Sequence, residues 1–123
     1  MAGKGIHTYS VQESQNLGLG QGGSVYTTAS SDAIKPPTGR VFVAITMLAD
    51  AVFDSASGLI AEVATQYVNT ETAANDLADG SETANQGSGG IVVDSVTFPK
   101  GITIYGRWTE IDVSSGSILA YIG

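Results

Sequence analysis

The clearest pattern of hydrophobic and polar positions lies in "RVFVAITML". Val41, Val43, Ile45 and Met47 fall on one side of an extended backbone and Phe42, Ala44, Thr46 and Leu48 on the other. Because both sides are apolar, the segment predicts a central strand covered on both faces rather than a half-exposed one. "AVF" at 51–53 continues it after a bend near Asp50. "GLIAEVATQYV" at 58–68 fits two periods: Leu59, Ile60, Val63 and Tyr67 make a helical stripe, and Leu59, Ala61, Val63, Thr65 and Tyr67 a strand face. β-Branched content and the preceding Gly58 favour the strand.

Downstream of the glycines ending at Gly90 the pattern tightens into "IVVDSVTF" (91–98), the turn "PKG", "ITIYGRWTEIDV" (102–113), the turn "SSGS" and "ILAYI" (118–122). This predicts a three-stranded antiparallel meander whose last two strands pair across the Ser-Gly loop. In its middle strand Tyr105, Arg107, Thr109, Ile111 and Val113 share one face and Ile102, Ile104 and Trp108 the other. Gly106 between them marks a bulge or a close backbone approach.

Elsewhere the pattern thins. Residues 1–30 are rich in Gly, Ser and Gln and read as an extended arm, with one strand near "SVYTTAS". Pro36-Pro37 followed by Thr38-Gly39 punctuates the chain before the first strong strand. From Asn69 to Gly90 almost every large apolar residue disappears, which predicts a long acidic loop, with one or two helical turns in "ETAANDLAD" between an N-cap at Asn69 or Thr70 and Gly80. Short strands separated by Gly and Pro turns predict an all-β fold, a small antiparallel β-sandwich or jelly-roll-like barrel over residues 31–123 with the arm extending from it.

Composition adds that 123 residues suit one domain, with only 14% charged positions. Five Lys and Arg stand against twelve Asp and Glu, a net charge of −7 that repels nucleic-acid phosphate and anionic membrane. With no cysteine there is no disulfide and no thiolate metal site. "MAGKGIHTYS" lacks the apolar stretch of a signal peptide and no run reaches membrane-spanning length, so a soluble protein made in a cytoplasm is expected.

Candidate chemistry is sparse. "GLGQGG" at 18–23 matches G-x-G-x-x-G in letters, but lacks the strand before it and the helix after it that dinucleotide binding requires. His7, the single histidine, has no fixed partners nearby and reads as a contact residue beside Tyr9. Asp76, Asp79 and Glu82 lack the alternation of a calcium loop, and paired carboxylates for glycoside hydrolysis come without the aromatic cleft they need. No catalytic, metal or cofactor residue is therefore expected. Residues 41–99 contain no Lys or Arg but eight acidic residues, a segregation that fits either solvated loops or complementarity between subunits. Arg107-Trp108 combines the two residue types that most often anchor interfaces, although the favoured place for Trp108 is the core of a small sandwich, with Arg107 its exposed neighbour. The apolar C-terminus "SILAYIG" places Leu119 and Tyr121 on a face that, uncovered, meets water.

"FVAITMLADAVFDS" and, beyond the acidic loop, "VTFPKGITIYGRWTEIDVSSGSILAYIG" carry the pattern FP-x-G-x-T-x-Y-G-R-W-T before an apolar strand ending in Gly. The pattern covers residues 41–54 and 91–123, roughly two fifths of the chain, and resembles small virion structural proteins of tailed bacteriophages of the marine and cyanophage type. The resemblance implies a head decoration or cement protein that binds the major capsid protein as a homo-oligomer, commonly a trimer, at the virion surface; a tail, neck or fibre-attachment adaptor is the alternative. It implies no enzyme activity. With the bottom-up reading it nominates Tyr105, Arg107, Trp108, Leu119, Tyr121, His7 and Tyr9 as interface residues. A carbohydrate-binding module using Trp108, Tyr105 and the acidic loop is a third reading.

Overall fold

The structure is a computed structural model describing residues 21–64, 66–71 and 90–123. His7, Tyr9, most of the arm, the helical turns expected after Asn69 and the acidic trio Asp76, Asp79 and Glu82 lie outside the described residues. Seven strands follow one another: β1 (Ser24–Thr28), β2 (Phe42–Met47), β3 (Val52–Phe53), β4 (Leu59–Ala61), β5 (Thr103–Ile111), β6 (Val113–Ser115) and β7 (Ser117–Ile122). They form an antiparallel five-stranded sheet in the order β1-β7-β2-β5-β4 and a two-stranded sheet of β3 and β6. The fold is all-β and sandwich-like, and the large sheet stays open rather than closing into a barrel.

The segment apolar on both sides takes the middle of the large sheet, as that pattern requires: β2 pairs β7 on one edge and β5 on the other. This placement overturns the meander. β5 and β7 are not neighbours, because β2 lies between them. Residues 91–98 form no strand: Phe98 makes a single bridge to Ala51 and packs edge-to-face on Phe53 with centroids 5.5 Å apart, and Val93 donates its N–H to the Asn69 carbonyl. Both edges of β5 are already occupied, by β2 and β4, so 91–98 covers the core as a loop. The strand expected near "SVYTTAS" is present. Ser24–Thr28 belongs to the sheet, paired residue for residue with β7.

Strict alternation fails along β5. Phe42 opposes Trp108 but Ala44 opposes Tyr105, and across the other edge Ile60 opposes Glu110 but Ala61 opposes Trp108. Each shift inserts one extra β5 residue, and a bulge re-aims the side chains beyond it. Ile111 therefore joins Trp108 on the inner face instead of Tyr105 on the outer one. Gly106 marks the first bulge for a steric reason: a Cβ there would stand 2.8 Å from Trp108 Cζ2.

The core lies between the inner face of the large sheet and the small sheet, with Phe42, Ile45, Met47, Phe53, Leu59, Trp108, Ile111, Val113 and Ile118 buried. Trp108 is fully buried, and its indole N–H donates to the Val68 carbonyl at 2.8 Å. Its expected place at an interface is thereby corrected: the ring is the largest piece of the chain's own core, and burial is affordable because its one donor has a partner. The C-terminus is closed locally. Val41 and Gly123 exchange backbone hydrogen bonds, a Cβ on Gly123 would meet Val43 Cγ1 at 2.7 Å, and β7 has β1 and β2 on its two sides.

Two predictions follow from this packing. Gly106→Ala drives a methyl into the Trp108 ring and should cost about 1–3 kcal/mol, read as a lower urea midpoint at unchanged slope by the fluorescence of the single tryptophan. Asp112 is held above the ordinary carboxylate range by burial first, then by the charges of Asp54, Glu110 and Asp32. A raised folded-state pKa means that protonation stabilises the fold, and that this contribution is lost as pH rises through the folded value. Asp112→Asn should therefore raise the melting temperature at pH 7, with the gain vanishing as pH falls below the usual aspartate value of 3.8.

Candidate interaction surface

The side of the large sheet facing away from the core is built from alternate residues of four strands. Cross-strand register sets Ser24, Tyr121, Ala44 and Tyr105 in one row and Tyr26, Leu119, Thr46 and Thr103 in the next. Thr28 and Ser117 extend the face by one more pair, beside Leu48, whose N–H donates to the Ser117 carbonyl. None of these residues is charged, although the chain carries a net charge of −7. Tyr26 and Tyr105 are 60% and 65% exposed, Leu48 is exposed, and Leu119 and Tyr121 are half-buried. Thr46 and Thr103 join their hydroxyls at 2.8 Å, which holds the centre of the face flat and satisfied.

Ala44 shows how the face is distinct from the core. It is fully buried yet outside the core cluster, standing in register between Tyr121 and Tyr105. Ala44 has no accessible surface of its own, so the row is presented to solvent by its register neighbours Tyr121 and Tyr105.

Tyr105, Leu119 and Tyr121, which the sequence nominates, thus come together on one surface. Arg107 lies at its rim, where Nε binds Glu62 Oε1 at 2.6 Å and Nη2 approaches Oε2 at 3.4 Å. The hydrogen bond from Arg107 is the largest influence on the Glu62 carboxyl; it exceeds the opposing desolvation and, with the smaller effect of the guanidinium charge, holds the group below the usual glutamate range, and the same pair raises Arg107. Both groups are solvated, so the pair adds little stability. Its effect is to neutralise charge beside the face and to occupy the guanidinium inside its own chain. Other basic residues are also engaged locally: Lys35 reaches Glu110 at 3.8 Å, and Arg40 donates to the Gly123 and Gly22 carbonyls. Trp108 belongs to the opposite side of the sheet. Sequence reading missed Tyr26, assigning it to the arm, and missed the outward aim of Thr46 and Leu48, since a strand apolar on both sides does not say which side is the core.

Among the described residues no group of three or more His, Cys, Asp or Glu is placed to hold a metal ion. The rim pair yields a titration test. The Glu62 carboxyl, followed by nuclear magnetic resonance, should titrate below 4.5 and return towards that value in Arg107→Ala, with the tyrosine resonances of the face unmoved.

Compared with known protein families, curated proteins and solved structures, the chain finds no match in any of the three.

Proposed function

We propose that this chain is a structural protein of a tailed-phage particle, a capsid decoration or cement protein that docks through its outer sheet face. The observation that carries the reading is the uncharged, tyrosine-bearing face on a chain of net charge −7. Exposed aromatics are the residues from which interface hot spots are built, while negative charge elsewhere disfavours non-specific association. The resemblance of residues 41–54 and 91–123 to virion proteins supplies the partner class: the major capsid protein at the head surface, met after synthesis in the host cytoplasm. Such a protein needs no chemistry. Binding the assembled shell but not free subunits stabilises the shell by mass action.

A tail, neck or fibre-attachment adaptor would use the same face, and copy number separates the two, a shell's full complement against a ring's few. The three tyrosines also favour a glycan-binding reading, because sugar rings stack on exposed aromatic faces. In that reading Tyr26, Tyr105 and Tyr121 replace the buried Trp108 as the stacking residues.

The deciding experiment is cosedimentation of the purified protein with phage heads stripped of it, comparing wild type with Tyr105→Ala and Tyr121→Ala. Each substitution should weaken binding by roughly tenfold or more, about 1.4 kcal/mol, while the melting transition survives. Unchanged occupancy in both variants would sink the docking face. Binding to a glycan array, lost in Tyr105→Ala, would replace the cement reading with the sugar-binding one.

A further inference from the structure

The two edges of the large sheet are treated differently. At the β4 edge the strand is only three residues long, and the adjoining loop closes it: the Leu59 N–H donates to Thr70 Oγ1 at 3.1 Å and the Thr70 N–H to the Leu59 carbonyl at 3.0 Å. At the β1 edge no such cover exists among the described residues, where β1 pairs with β7 alone. The Ile122 N–H donates to the Gly23 carbonyl, and the Ala29 N–H to the Gly116 carbonyl. Antiparallel alternation then turns the backbone groups of Val25 and Thr27 towards β7 and those of Ser24, Tyr26 and Thr28 outward. The Thr28 carbonyl accepts from Ser31 N–H in the following turn, which leaves three N–H groups and the Ser24 and Tyr26 carbonyls aimed away from the sheet.

The usual devices that blunt an edge are missing from β1. Ser24–Thr28 contains no charge and no proline, and its register with β7 is unbroken, whereas every other strand pairing among the described residues has an irregularity. A long, regular, uncharged edge is a template for another strand.

We infer that the open edge of β1 pairs with β1 of a second copy, antiparallel about a two-fold axis at Tyr26, joining two five-stranded sheets into one of ten. The strand is self-complementary in that register. Tyr26 meets the partner's Tyr26 as a hydrogen-bonded pair, Val25 meets the partner's Thr27, and Ser24 meets the partner's Thr28. The outward Thr28 N–H finds the partner's Ser24 carbonyl, and each Tyr26 N–H the other Tyr26 carbonyl. Because the β4 edge is closed, the assembly stops at two copies instead of running on as a fibre. The two docking faces then form one continuous surface on the same side of the joined sheet. The symmetry is two-fold, in place of the three-fold expected from the resemblance, and the inference stands on the edge geometry whether or not the face docks on a shell.

The test is the mass of the full chain in sedimentation at about 100 µM, where an interface with a Kd of roughly 10 µM is well populated. The expected species is twice the 12.6 kDa chain. Tyr26→Lys sets two like charges opposite each other without touching the bonds to β7, and should raise the dissociation constant at least tenfold with the melting transition retained. A second variant does not depend on that substitution. Cα atoms across a hydrogen-bonded antiparallel pair lie about 5.5 Å apart, within disulfide reach, and the chain has no native cysteine. Tyr26→Cys should therefore form a covalent dimer under mild oxidation, and the exposed control Ser55→Cys should not. A monomer at that concentration, a trimer, or a dimer unaffected by Tyr26→Lys would each overturn the inference.

Discussion

Trp108 is the constraint on which the rest of the structure depends. Its indole fills the core below β5, its N–H is bound to the Val68 carbonyl, and its register partners are Phe42 on β2 and Ala61 on β4. To aim so large a ring inward, β5 bulges on both sides of it, and Gly106 leaves room for the ring's edge. Those bulges also turn Ile111 inward. Filling the interior with Trp108 rather than with Tyr105 or Tyr121 is what leaves the tyrosines outside.

The outer face is a product of long-range pairing. β7, near the C-terminus, lies between β1 and β2 from the first half of the chain, and β2 separates it from β5. No segment carries the face by itself: Tyr26, Thr46, Tyr105 and Tyr121 are contributed by four strands and become neighbours only once the sheet is complete. A face assembled in this way exists only in the folded state. The same topology leaves β1 at an edge of the sheet, so the outer face and that edge share Tyr26, whose ring belongs to the face while its backbone belongs to the edge.

Charge plays a subordinate part. Arg107 and Glu62 satisfy one another at the rim, Lys35 reaches Glu110, and Arg40 ties the last residue to Gly22. The segregation of basic from acidic residues along the chain thus resolves, at these positions, into contacts within one copy.

The local pattern of side chains determined a good deal: the all-β class, the central position of "FVAITM", the strand in "SVYTT", the strand start at Leu59, and the close approach at Gly106. Each depends on neighbours a few residues away, through alternation, β-branching or the absence of a side chain. It also nominated Leu119 and Tyr121, on the strand face opposite Ile118 and Ala120, and Tyr105 beside Arg107-Trp108. Only the tertiary structure decided which strands pair, since the backbone groups that pair strands are the same at every residue and carry no identity. Burying the greatest apolar area placed β2 between β5 and β7, left 91–98 as a covering loop, and shifted Ile111 to the core face through bulges that strict alternation cannot express. The same competition for the interior sent Trp108 inward, and sheet pairing set Tyr26 on the same outer face as Tyr105 and Tyr121, at its β1 border.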